Sequence, residues 1–338
     1  MTGSQVASVS DHVAKPRIDP GRVTLHLKRL RTLRIKHASA RGQPLFISAA
    51  SGLVVVGKWL YVIADDEVHL GVFPATGAAP GTLLRLLPGT LPTAPKKRKA
   101  RKADFEVLTR LPGFTGCPHG ALLALGSGSR PNRCRGVLVP LDRAGLVKGP
   151  PRVIDLTDLY AGLKRELGEL NVEGAVVLGR NLCLLNRGPP REGGSALVWL
   201  NLPAVTRALA RADTVSTMPC KVRHYDLGKA DGVPLGFTDG AASAAGGIVF
   251  AAVAESADDS YADGPCVAAA IGVIRADGEL TWVRKLRPTR KVEGIAVRPG
   301  SRGREVLLVT DADDTTVPAG LYAASVGGKR AVTMSKTR

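Results

Sequence analysis

A carboxylate, a glycine and a short apolar run recur together: Glu173 in "NVEGAVV", Asp239 in "FTDGAAS" and Glu293 in "KVEGIAV". Glu106 in "ADFEVLT" keeps the acid without the glycine, and "AASGLVVVG" fits the same frame with Ser51 in the acidic place. If the fold brings these acids together, each like-charged pair about 6 Å apart costs about 3 kcal/mol at an effective dielectric near 20. A cation, basic neighbours or retained protons must relieve that repulsion. Ca²⁺ or another hard divalent cation suits such a set, because it takes carboxylate and amide oxygens. The expected donors are Glu106, Glu173, Asn186, Asp239 and Glu293. Asp65, Arg130, Arg133, Arg187, Glu255, Lys291 and Asp311 are candidates for binding a small polar or anionic ligand beside them, with Lys102 and Arg290 also near in sequence. The alternative role for such acids is structural: each accepts backbone N–H bonds from the next repeat and locks it in place.

The elements that would position these residues are short strands. After Ser51 come "LVVVG", "WLYVIAD", "VHLGVF" and "TLLRLL"; after Glu106, "VLTRLP", "ALLALGS", "GVLVPLD" and "RVIDL". The stretches after Glu173 and Asp239 each hold four comparable runs bounded by Gly, Pro, Asn or Asp, which read as strands. Four strands per repeat predict an all-β chain folded as a β-propeller. The last repeat has only "GIAVRP", "EVLLVTD" and "GLYAASV", so "RVTLHLKRLRTLRI" (22–35) is expected to supply its fourth strand. Closure of that kind removes an open sheet edge. Five four-stranded blades result, or six if 22–35 forms two strands of a degenerate blade. The domain is expected over 22–328, after a flexible segment 1–21 and before a basic tail 329–338. Helices are expected within 155–170 and 203–213, the second opening on proline.

In a propeller the innermost strand of each blade lines the channel and the second strand returns beside it. The start of the first strand and the end of the second therefore share a face. The acids stand at the first place, and Asp65–Asp66, Ser127–Ser129, Asn186–Arg187, Glu255 and Asp311–Asp313 at the second. Both sets are expected at one mouth of the channel.

Composition narrows the function classes. The 338 residues are 44% hydrophobic, which supports a sizeable core, and the formal charge of +18 favours anionic partners. The basic run "KKRKARK" (96–102) reads as a solvated loop and lacks interleaved aromatics, so nucleic-acid binding is expected to be at most weak and non-specific. Five scattered cysteines form no CxxC and imply reduced thiols. No apolar leader or membrane-length apolar run is present, and a cytoplasmic monomer is expected. No GxSxG, HExxH or P-loop occurs, which argues against a serine triad, a zincin and a nucleotide-binding loop.

The word "EGIAV" before a strand, with an acidic end to the second strand, resembles the phytase-like esterase, SdiA-regulated and gluconolactonase/strictosidine-synthase propellers. The combination of "DFE", "LALGSGSRPNR", "EGAVVLGRNLCLLNRG" and "FTDGA" is similar to a bacterial family of uncharacterised propellers. The resemblance implies mouth carboxylates and asparagines around a divalent cation, commonly Ca²⁺, that polarises an ester, lactone or phosphoester. It carries that role onto Glu173, Asn186, Asp239 and Glu293. Those relatives usually have six blades, and Ser51 interrupts the acid ring here.

Overall fold

Five antiparallel sheets, each led by one of the recurring motifs, follow one another along the chain. In this computed structural model the described residues are 24–189, 194–256, 264–299, 301 and 305–326. The expected segments 1–21 and 329–338 lie outside them. The innermost strands are Ala50–Val56, Phe105–Leu111, Val172–Leu178, Gly236–Ala242 and Val292–Val297, heading blades 1 to 5 in sequence order. Each pairs with the next strand in sequence, and so outward across its blade. Alternating apolar side chains fill five inter-blade cores, one between each neighbouring pair. Between blades 3 and 4, for example, Phe237 and Phe250 pack edge to face at 4.9 Å, with Tyr225 beside them.

The N-terminal strands close the ring. Lys28–Thr32 pairs antiparallel with Gly320–Ser325 and completes blade 5, as the short last repeat predicts. The preceding Leu25–His26 pairs in parallel with Leu280–Arg287 and adds a fifth strand to blade 4. Residues 25–32 of the expected stretch 22–35 are thus split between two existing blades, and no sixth forms among the described residues. Leu25 is buried in the core between blades 4 and 5.

Helix α1 spans Pro95–Arg101, α2 Thr157–Leu167 and α3 Leu202–Arg211. The second and third match the expected periodicity. Helix α2 buries Leu159, Tyr160 and Leu163 between blades 2 and 3, where the Tyr160 hydroxyl donates to the Gly126 carbonyl at 2.7 Å. Helix α1 is a correction: the basic run expected as a solvated loop forms a helix with proline in its first turn.

The inner strands also explain the glycines. A Cβ on Gly174 would stand 2.8 Å from Asp239 Cα in the next blade, and one on Gly294 would stand 2.8 Å from Gly52 Cα. Neighbouring backbones approach too closely there for a side chain. Just before that contact every inner strand carries a β-bulge, and the residues skipped by the ladder are Ser51, Glu106, Glu173, Thr238 and Glu293. In blade 4 the equivalent position is therefore Thr238, and Asp239 corresponds to the glycine of its neighbours.

Two consequences can be measured. Gly294→Ala should destabilise the protein by about 1–3 kcal/mol through overpacking, seen as a lower Tm; an unchanged Tm would show that the inner strands can part. Deleting residues 1–32 should replace cooperative unfolding by a broad transition, because blade 5 loses its outer strand and blade 4 its fifth. Unaltered melting behaviour of the truncated chain would contradict ring closure.

Candidate functional site

The bulged positions bring side chains from separate blades to one end of the channel. Carboxylate oxygens of Glu106, Glu173 and Glu293 all lie within 4.8 Å of one another. A second group, Asp65, Asp104 and Glu106, meets the same limit and shares Glu106 with the first. The starts of first strands and the ends of second strands thus converge on one mouth.

Asp239 and Asn186 are placed differently from the three glutamates. Asp239 Oδ1 accepts from the Gly240 N–H at 2.7 Å, and Oδ2 accepts from the Ile295 N–H of blade 5 at 2.9 Å. Thr238, at the true register position, donates its hydroxyl to the Val292 carbonyl at 2.8 Å. Both residues fasten blade 4 to blade 5, the structural role weighed for the repeat. Asn186 Oδ1 accepts from the Asn171 N–H at 2.8 Å, fixing the entry to its own inner strand. Ser51 is buried, with its hydroxyl 3.4 Å from the Ala49 carbonyl.

Two chains of charge surround the carboxylates. On one side Arg187 bridges Glu173 Oε1 at 3.7 Å and Glu255 Oε2 at 2.5 Å. Lys291 Nζ then lies 2.9 Å from Glu255 Oε1, 3.5 Å from Glu293 Oε1 and 2.7 Å from Asp313 Oδ1. On the other side Lys102 pairs with Asp65 and with Asp104, the latter at 2.8 Å. Arg133 holds the opposite oxygen of Asp104 at 2.6 Å, where Ser127 also donates at 2.6 Å. Helix α1 turns Arg98 toward Asp66 at 3.4 Å and Glu67 at 3.2 Å, leaving Lys96, Lys97 and Arg101 exposed. Asp311 is buried beside Asp65 and Lys291 and accepts from the Asp313 N–H at 2.8 Å. Arg130 is exposed at the head of the 3-10 turn Pro131–Arg133.

Sequence reasoning missed Asp104, Asn171 and Arg98 as parts of this network. Asp104, Asn171 and Lys291 each stand two residues before a bulged glutamate, so strand periodicity could have found the first two. Asn171 donates to Glu173 Oε1 at 2.6 Å. Asp104 also adopts φ 55°, a left-handed conformation that aspartate tolerates better than most residues. No comparable signal marks Arg98, whose inward orientation depends on how α1 docks.

Burial and mutual repulsion govern protonation here. Burial, opposed by Arg187 and reinforced by Glu293 and Glu255, pushes Glu173 up to about 8. Burial with Glu255 nearby, against Lys291 and Arg187, raises Glu293 to about 7. Burial and the nearby Asp104, Asp65 and Glu173 hold Glu106 well above the usual range. Burial works against the Lys102 charge, yet Asp65, Asp104 and Glu106 outweigh it and raise its pKa. Glu255 is buried too, but Arg187 and Lys291 prevail and lower its pKa.

The raised carboxyls give stability a definite pH dependence. Between 4.5, their ordinary value, and about 7 for Glu293 or about 8 for Glu173, the folded state holds protons that the unfolded chain has lost. Their contribution is fully present below that window and is lost as pH rises through it. Glu255, with a lowered pKa, loses its contribution only at more acidic pH. In a chelating buffer, Tm should therefore fall from about pH 5 to 8.5, and Glu173→Gln should flatten the fall. A wild-type profile level across this window would contradict the assignment.

Distant similarities in fold accompany this geometry. The glutaminyl cyclase of Myxococcus xanthus aligns with 94% of this chain and 100% of its own at 12% identity and a TM-score of 0.47. A gluconolactonase of Xanthomonas campestris aligns at 10% identity and a TM-score of 0.37, over 79% of this chain and 68% of its own. Regucalcin of Agrobacterium tumefaciens, described as a calcium-binding protein, aligns at 11% identity and a TM-score of 0.39, over 83% and 90%. Similarity this distant does not bear on the reaction. A search of curated proteins finds no match. No helix among the described residues is long and apolar enough to cross a membrane. A family model matches residues 46–326, and the chain belongs to that family of unknown function, DUF6929.

Proposed function

We propose that the mouth binds a divalent cation, Ca²⁺ by its donor chemistry, through Glu106, Glu173 and Glu293, and that the cation presents a small polar or anionic ligand. The observation that carries this reading is the contrast between the two carboxylate groups. In the group of Asp65, Asp104 and Glu106, the Lys102 ammonium contacts both aspartates and supplies the positive charge internally. In the group of three glutamates, Arg187 reaches Glu173 and Lys291 reaches Glu293, and neither forms an ion pair with Glu106 among the described residues. Glu293 Oε1 is buried and accepts no hydrogen bond, with the Lys291 ammonium 3.5 Å away. An all-oxygen donor set without His or Cys suits Ca²⁺ or Mg²⁺ better than Zn²⁺.

A cation bound there supplies Lewis acidity toward a carbonyl or phosphoryl oxygen. The chain's own groups orient the donors: Asn171 and Arg187 both hold Glu173 by its Oε1, while Lys291 steadies Glu293. The reaction class that fits is hydrolysis of a small ester, lactone or phosphoester. The second reading is a non-catalytic scaffold. It is favoured by the ion pairs that join blade to blade, Lys102 linking blades 1 and 2 and Arg187 reaching Glu255 in blade 4.

Calcium titration of chelator-treated protein separates these readings. A specific ion should raise Tm, by about 2.7 kcal/mol of stability at a hundredfold excess over Kd. Glu173→Gln should weaken Ca²⁺ at least about tenfold, the equivalent of about 1.4 kcal/mol. No response to Ca²⁺, Mg²⁺ or Mn²⁺ would end the cation reading. Cation-dependent turnover in a screen of esters, lactones and phosphoesters, lost in Glu173→Gln, would establish the hydrolase. Binding without turnover would favour the scaffold.

A further inference from the structure

Beside the carboxylates, between blades 4 and 5, lies a cavity of about 720 Å³. It is lined by Lys291, which also contacts Glu293, and by Arg29 on the ring-closing strand. Arg29 stands opposite Tyr322 in the sheet of blade 5, and Tyr322 is buried in the core facing blade 4. Arg290 and Pro318 also line it. The volume is that of a small-molecule site, and its wall sets apolar Val317, Pro318 and Tyr322 beside charged groups, Asp311 and Asp313 as well as the cations.

Two of the cations in this groove, Arg29 and Arg290, differ from those around the channel. Arg98, Lys102, Arg133, Arg187 and Lys291 are each in contact with a carboxylate. Arg29 donates to the Thr32 hydroxyl at 2.8 Å, and Arg290 to the neighbouring Thr289 carbonyl at 3.2 Å. Neither has a carboxylate partner among the described residues. Two guanidinium groups left to solvent at the edge of a cavity suit an oxyanion, which each can hold with paired N–H donors.

We propose that this groove binds an organic oxyanion, a phosphate or carboxylate carried on an apolar body, with Arg29 and Arg290 on the anion and the body against Tyr322 and Pro318. The proposal deepens the cation reading and rests on it only for where the ligand's inner end points. A ligand anchored on the two arginines extends past Lys291 toward Glu293, so the groove would select which molecules reach the cation.

Phenyl phosphate is the probe, titrated by calorimetry into full-length protein in a chelating buffer and again with saturating Ca²⁺. It should bind more tightly than inorganic phosphate, because the groove walls accept the ring. Arg29→Gln and Arg290→Gln should each weaken it about tenfold while leaving Ca²⁺ affinity unchanged. Arg290 lies outside every strand, so its variant remains informative if Arg29→Gln impairs ring closure. Undetectable binding, or binding that Arg290→Gln leaves intact in a protein of unchanged Tm, would overturn the groove whatever Ca²⁺ does. Arginine-dependent binding without any Ca²⁺ response would support the groove and reject the cation reading.

Discussion

Five strands lining one narrow channel cannot all keep side chains where their backbones meet, and the rest of the molecule adapts to that crowding. Gly52, Gly174 and Gly294 clear the contact, while a bulge in front of it gives each inner strand one residue outside the ladder. That residue is re-aimed toward the axis, and ring symmetry collects its counterparts from other blades. Glutamates at three of the five places produce a concentration of negative charge that no single blade could create. Packing of the backbone thus dictates where chemistry can occur.

The charge so assembled is managed unevenly. Lys102 answers Asp65 and Asp104 directly, whereas Arg187 and Lys291 share Glu255 and approach the glutamates from the rim. These buried pairs do not by themselves make the fold more stable, because desolvation consumes much of the attraction. Their stronger effect is on geometry: a carboxylate held by two cations from different blades sets the angle between those blades. Asp239 and Thr238 achieve the same at one seam with neutral backbone groups.

The architecture was legible because apolar runs and turn residues repeat in the same order, and because the last repeat lacks a strand that the N-terminus can provide. The site was legible only in part. Aligning repeats on their acids matched Asp239 with Glu173, whereas aligning on the buried apolar residue before the bulge (Phe105, Val172, Phe237, Val292) identifies Thr238 as the counterpart. Hydrophobic register is the better guide, since a one-residue slip would expose an entire strand face. Helix α1 was beyond reach for a different reason. Its sequence is almost wholly basic, and only the acids it meets in space decide that Arg98 and Lys102 turn inward.

The closing strand couples the last step of assembly to the first residues of the domain. Lys28–Thr32 is made before any blade exists, yet its partner, Gly320–Ser325, is among the last described residues to be synthesised. Until then Lys28–Thr32 has no ladder to join, although the preceding Leu25–His26 can already pair with Leu280–Arg287 of blade 4. Contacts of such long sequence separation form slowly. A nascent chain must therefore complete its earlier blades with the clasp undone, so the two seams of blade 5, one of which holds the arginine-lined groove, are among the last described parts to take shape.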